Sequence, residues 1–297
     1  MSAPLLFDRA LHRRRLDRAA ATLPAADVLR RRAAEDAADR LSAILRDFPT
    51  AVEIGARDGA FRRALAETPA AERVGWLVET DLSARMLAGR AGARVVLDEE
   101  RLPLAPASVN LVVSLLALHW TNDLPGALVQ IRRALAPDGL LLAAFFGGAT
   151  LTELRQSLIA AEAEVAGGAG PRVSPFADGV DAAALLQRAG FALPVSDVDR
   201  VTLRYAHPLE LMRDLRAMGE ASVLLDRPRR PLSRAVLARA FQHYAERFGG
   251  PDGRVPATFE IVTMTGWAPH ESQQQPLKPG SAKARLADAL GAVEHRL

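Results

Sequence analysis

Between Ala51 and Phe146 the sequence alternates short apolar runs with amphipathic segments, and no other feature restricts the fold as much. The runs are Ala51–Ile54, Val74–Val78, Arg94–Leu97, Leu111–Leu116 and Leu140–Phe146, the last entered through the turn Pro137-Asp138-Gly139. Amphipathic segments lead from the first run through Leu65, from Ser83 after the second, and from Leu124 to Leu135 after the fourth. This βαβα order predicts an α/β fold with a mainly parallel sheet and helices on both faces. Ligands of such sheets bind beyond the carboxyl ends of the strands.

Helical periodicity dominates on either side of this block. From Asp8 to Phe48 the spacing of Leu23, Val28, Leu29, Leu41, Ile44 and Leu45 predicts two helices broken near Pro24. Residues 1–48 therefore read as an N-terminal helical extension to a main domain over 49–267. After Thr150 come a helix to about Val165, a glycine-rich loop, a helix through Leu185 and a strand around Val195–Tyr205. Two amphipathic helices follow, Pro208–Met218 and Leu232–Phe248, and then a last strand, Phe259–Trp267, with room to begin earlier. The two helices read as a lid inserted at about 206–250, ahead of the final strand. Residues 268–297 read as a tail ending in a short helix.

Composition removes several classes of function. With 49% hydrophobic and 25% charged residues the chain is of ordinary globular make-up. The absence of cysteine excludes disulfides, thiolate zinc sites, iron–sulfur ligation and a cysteine nucleophile. The first residues lack the apolar core of a secretory signal, and no apolar run approaches 20 residues, so neither export nor a membrane span is expected. A bacterial cytoplasmic location is the expectation. The basic residues are almost all arginine, and they cluster at Arg13–Arg15 with Arg18 and at Arg30–Arg32. Asp17, Glu35, Asp36 and Asp39 are interleaved with them and aromatic residues are not, so a solvated helix face is expected rather than a nucleic-acid surface.

The carboxyl ends of the first three strands carry acids. The first ends in Glu53-Ile54-Gly55-Ala56-Arg57-Asp58-Gly59, where Gly55 and Gly59 suit a tight turn that lets a ligand approach backbone N–H groups. The second ends in Glu79-Thr80-Asp81-Leu82, where an acid can accept hydrogen bonds from ribose hydroxyls. The third ends in Asp98-Glu99, placed to read an adenine amino group. The competing reading is that these acids are helix caps and loop residues. A dinucleotide site would call for a fuller G-x-G-x-x-G. Arg57 interrupts that pattern, and Glu53 suits a cationic ligand end such as the amino group of S-adenosylmethionine.

The motifs EIGARDG, ETDLS, DEERLP, NLVVSLLALHW and LAPDGLLLAAFFGG, in that order, resemble those of class I S-adenosylmethionine-dependent methyltransferases. The stretches LFDRALHRRR, LHWTNDLPGAL, FGGATLTELRQSL, VSPFAD, LLQRAGF, LMRDLRAMGE, DGRVPATFEI and GWAPHESQ narrow the resemblance to the branch of mitochondrial complex I assembly factor 5 and its alphaproteobacterial relatives. The resemblance implies a Rossmann-like fold on a mainly parallel seven-stranded sheet, with S-adenosylmethionine as cofactor. It also implies cofactor contacts at Glu53, Gly55, Gly59, Asp81, Asp98 and Glu99, and Arg57, Glu79, Leu82 and Ser114 beside them are further cofactor-binding candidates. The implied client is a protein, the iron–sulfur subunit next to the quinone site of complex I, reached near the inner membrane; in the human protein the implied reaction is arginine hydroxylation. Three positions depart from the family pattern: Arg57 for glycine, Asn110 for aspartate and Ala149 for aspartate. Arg57 is expected either to swing outward or to pair with the cofactor carboxylate; a third geometry has it occupy the cavity.

His119 and Trp120 follow the fourth strand, where a methyltransferase places its acceptor. An unperturbed histidine pKa suits a general base at neutral pH; the alternative is that both residues line or cap the pocket. Asp123 reads as the cap of the next helix. Glu220, Arg216 and Ser222 are the polar candidates beside the lid, and Thr258 and Glu260 are expected at the pocket mouth. The six histidines form no H-x-D/E pair of the kind that serves iron, so no metal site is expected. Methyl transfer to a protein is the leading reaction. Arginine hydroxylation, a non-catalytic assembly chaperone and a small-molecule methyltransferase are the alternatives.

Overall fold

A computed structural model describes residues 5–176 and 179–274. Two helices, α1 (Arg9–Ala19) and α2 (Val28–Ser42), are separated by a 3-10 turn at Leu23–Ala25, so the break falls at Pro24 as expected. The alternating block then forms β1 (Phe48–Ile54), α3 (Ala60–Ala66), β2 (Val74–Asp81), β3 (Ala93–Val96), β4 (Val109–Leu115), α4 (Leu124–Ala134) and β5 (Leu135–Phe146). After it come α5 (Thr152–Ala166), α6 (Gly179–Arg188), β6 (Ala192–Tyr205), α7 (Pro208–Ala217), α8 (Arg234–Phe248) and β7 (Val255–Trp267). The segment from Ser83, expected to be helical, is a run of turns. It starts with Ser83 held to Asp81 and Asp17 and runs to Gly89 and Gly92, both at positive φ, so helical continuity has no support there. The expected helix of the tail lies outside the described residues.

The seven strands form one sheet in the order β3-β2-β1-β4-β5-β7-β6, with β7 antiparallel to both neighbours and the rest of the β3–β5 block parallel. Strand order reverses between β1 and β4, the switch point at which open α/β sheets bind their ligands. Parallel strands covered on both faces must be apolar throughout. Accordingly β4 and β5 bury Leu111, Val112, Val113, Leu140, Leu141, Leu142, Ala143 and Phe145. One core layer, including Phe61, Leu65, Leu111 and Phe259, lies on the α2–α3 and α5–α8 side; the other, including Val52, Ile54, Leu128, Ile131 and Leu186, lies under α4 and α6. Asp123 caps α4 by accepting from the Gly126 N–H at 2.8 Å.

Candidate functional site

Register brings the strand ends together. Glu53 on β1 stands beside Glu79 on β2, Ile54 beside Thr80, and Asp81 beside Val96 on β3. The turn after β1 can be tight because of two glycines in left-handed conformation. A Cβ on Gly55 (φ 73°) would lie 2.4 Å from the Ala117 Cβ, and one on Gly59 (φ 78°) would lie 2.3 Å from Arg90 Nη1 and 3.1 Å from Glu79 Oε1. At Gly55 a larger residue is opposed by space as well as by conformation, whereas at Gly59 the conformation opposes it and the Arg90 side chain would have to move.

Each of the acids meets an arginine of the same chain. Arg30, on α2, reaches into the turn: it donates to the Leu115 and Gly55 carbonyls at 2.7 and 2.6 Å and lies 3.3 Å from Glu53 Oε1. Only 5% of Arg30 is exposed, so this member of the arginine cluster is not on the solvated face that the sequence suggested, whereas Arg31 and Arg32 are. Arg9, on α1, binds Asp98 and Glu99, each at 2.8 Å, and donates to the Trp120 carbonyl at 3.0 Å. Glu79 is held by Arg90 at 2.8 Å and Arg62 at 3.0 Å. The Ser114 hydroxyl donates to the Ile54 carbonyl at 3.2 Å and ties β4 to β1. Leu82, partly buried, packs against the core.

Arg57 takes the third of the geometries open to it. Its side chain is 3% exposed, and both its backbone N–H and its Nη1 donate to Asp81 Oδ2, at 3.0 and 2.8 Å. It does not swing outward, and its guanidinium is already paired within the chain. The cavity left beside Arg30, Arg57, Leu116, Phe146 and Met218 measures only 20 Å³.

Two observations bear on whether S-adenosylmethionine suits these residues. Glu53 Oε2 is buried and accepts no hydrogen bond, and burial, outweighing the long contact to Arg30, pushes its carboxyl up to about 8. A buried carboxyl oxygen without a partner fits an incoming amino group, whose arrival would favour the ionised form. At the ribose position the acid is present, but Arg57 already satisfies it. The methionine end of the site thus fits as it stands, and the ribose end fits once Arg57 leaves.

Beyond β4 the chain makes a 3-10 turn at Leu118–Trp120. His119 Nε2 and Trp120 Nε1 both lie on Glu220 Oε2, at 3.0 and 2.8 Å, so the two residues tie down the segment after α7. With Nε2 assigned as the donor to the carboxylate, the His119 lone pair sits on Nδ1, which is buried and without a partner. Any proton His119 accepts goes there.

Glu220 also borders a second cavity of 220 Å³, lined by Trp120, Leu154, Phe176, Met212, Leu215 and other apolar groups, with Arg216 and Ser222 among its polar residues. The three polar candidates beside the lid therefore meet at one pocket. Thr258 and Glu260 do not join them: Thr258 N–H and Oγ1 are bound to Glu153, and Glu260 is held by Arg200 at 3.0 Å. At one family departure, Asn110 accepts from the Thr50 N–H at 3.2 Å, a bond for which an amide serves as well as an acid. Among the described residues no group of three or more His, Asp or Glu is arranged to share a metal ion, and no helix is long and apolar enough to cross a membrane.

Sequence reasoning missed Arg9, Arg30 and His12, the last buried between Arg9 and the Trp120 ring. Only the break at Pro24, which folds α2 back toward the strand ends, hinted that the extension enters the site.

Residues 52–143 match the family described as Methyltransferase domain. The chain is 42% identical to the arginine-hydroxylase NDUFAF5, mitochondrial, of Danio rerio, over 95% of this chain and 89% of that one. It is 38% identical to the Homo sapiens protein of the same name, over 98% and 84%. A malonyl-[acyl-carrier protein] O-methyltransferase of Halorhodospira halophila is 38% identical over 88% of each chain. Among solved structures, a putative methyltransferase of Bacillus halodurans superposes with a TM-score of 0.53 at 15% identity, over 80% of this chain and 99% of that one, and shows the shared fold.

Proposed function

We propose, from the premise that this chain belongs to the NDUFAF5 family of methyltransferase-fold proteins, that it is an enzyme that binds S-adenosylmethionine at the ends of β1–β3 and modifies a protein side chain. The observation that carries the reading is Glu220. It lines both the small cavity beside Arg30 and Arg57 and the 220 Å³ apolar pocket, so the Arg57 side of the turn after β1 and the proposed acceptor pocket meet at one carboxylate. Group transfer requires that kind of adjacency, with donor and acceptor held in reach of each other.

Glu53, Asp81, Asp98 and Glu99 are the residues that would hold the cofactor, which supplies a transferable sulfonium methyl when bound. The chain's own part is to orient the acceptor. The apolar wall of Leu154, Phe176, Met212 and Leu215 excludes water, and Glu220, which also holds His119 Nε2, attracts a cationic tip. Methyl transfer needs nothing further from the protein. A second reading, arginine hydroxylation, is favoured by the names of the relatives that match nearly the whole chain; it inserts an oxygen atom and draws on an external oxidant. In either case the client we propose is the quinone-side iron–sulfur subunit of respiratory complex I.

Mass spectrometry of that subunit, purified from cells with and without this protein, tests the proposal. A gain of CH2 on one residue establishes methylation, and a gain of one oxygen on an arginine establishes hydroxylation. An unmodified subunit in both strains removes the client.

A further inference from the structure

Arg57 stands in the centre of the turn between β1 and α3 with φ 48°, a left-handed conformation that glycine adopts freely and a branched-off side chain adopts at a cost. That cost is matched by what the residue gains. Asp81 Oδ2 accepts from the Arg57 N–H and Nη1, and Asp81 Oδ1 accepts from the Ser83 N–H at 2.8 Å. The carboxylate is fully buried and occupied on both oxygens by its own chain. In open α/β sheets the acid at the end of the second strand is the acceptor for ribose hydroxyls, so an adenosine ligand and Arg57 seek the same carboxylate. On its other side Arg57 lines a cavity of only 20 Å³, far below the roughly 300–1,000 Å³ of small-molecule sites, so its side chain has little open space beside it.

We infer that Arg57 is an autoinhibitory residue of the cleft: its guanidinium takes the place of the ribose at Asp81, and an adenosine cofactor binds only after the Arg57–Asp81 pair has opened. The inference rests on the S-adenosylmethionine reading above. It follows that the apparent affinity is the intrinsic affinity reduced by the fraction of molecules in which the pair is open. The displaced guanidinium need not reach solvent. Glu99 and Glu220 also attract it, and Glu220 is the carboxylate shared with the acceptor pocket.

Calorimetric titration of the full chain with S-adenosylhomocysteine tests this. Arg57→Gly is expected to bind at least tenfold more tightly than the parent, about 1.4 kcal/mol. Arg57→Asn, whose short side chain tolerates the left-handed region, is expected to do the same and serves if the glycine variant does not fold. Arg57→Lys keeps a cation at Asp81 and is expected to stay close to the parent. A parent that binds as tightly as Arg57→Gly and Arg57→Asn overturns the inference and leaves the cofactor reading standing. If none of the folded proteins binds, the cofactor reading itself falls, and the inference with it.

Discussion

Arg30 on α2 and Glu53 at the end of β1 are 3.3 Å apart, side chain to side chain, and both are buried. The contact fastens the helical extension to the strand ends, since the same guanidinium donates to the Gly55 and Leu115 carbonyls. Removing the guanidinium leaves two buried carbonyls and the Glu53 carboxyl without a donor. Arg30→Met is expected to lower stability by about 2 kcal/mol or more, measured by urea denaturation. A loss under about 1 kcal/mol would mean that water replaces the guanidinium and that α2 is not anchored there.

Glu53 also sets a pH dependence. Burial raises its carboxyl from 4.5 to about 8, so between those values the folded protein holds a proton that the unfolded chain has released. Stability therefore falls as pH rises through this window, by up to about 1.4 kcal/mol per pH unit. Glu53→Gln cannot titrate and is expected to flatten the decline when thermal melts at about pH 6 and about pH 8.5 are compared. Parallel losses in parent and variant would show Glu53 already ionised beside Arg30.

His12 works in the opposite direction. Burial, followed by the charges of Arg57 and Arg9, the His119 ring and Arg15, lowers its pKa well below 6.5. The unfolded chain takes up a proton near 6.5 that the folded chain refuses, so this contribution to stability is complete above that pH and is lost as pH falls below it. His12→Gln is expected to be less acid-sensitive than the parent between about pH 7 and about pH 5. Identical acid transitions would place the sensitivity elsewhere.

Glu220 secures the segment after α7 through two donors, His119 Nε2 and Trp120 Nε1. Glu220→Ala strands both in a buried setting and is expected to cost about 2 kcal/mol or more, with a red-shifted tryptophan emission as Trp120 gains access to water. Glu220→Gln retains an acceptor and is expected to remain within about 1 kcal/mol of the parent. If it destabilises as much as alanine, the charge and not the hydrogen bonds holds the segment.

The sequence by itself determined the sheet and the acids at its edge. The runs that became β1, β4 and β5 are apolar because both of their faces are covered, and that requirement is written locally, residue by residue. Asp123 as a cap, the break at Pro24 and the ordering of Glu53, Asp81 and Asp98 at successive strand ends are likewise local, set by spacing within a few residues or by position after a strand. What the acids are bonded to was decided only by tertiary structure. Arg9 reaches Asp98 across 89 residues, Arg30 reaches Glu53 across 23, and Arg57 reaches Asp81 across 24. Nothing near any of these arginines in the chain separates it from Arg31 or Arg32, which face solvent. Burial of a charge depends on what the fold places around it, and a chain with 36 arginines (38 Lys+Arg less Lys278 and Lys283) offers many candidates for each acid. The selection follows from the path of α1 and α2 over the strand ends for Arg9 and Arg30, and from the β1–α3 turn beside β2 for Arg57, where low dielectric makes an unpaired carboxylate costly and the nearest guanidinium the partner that offsets it.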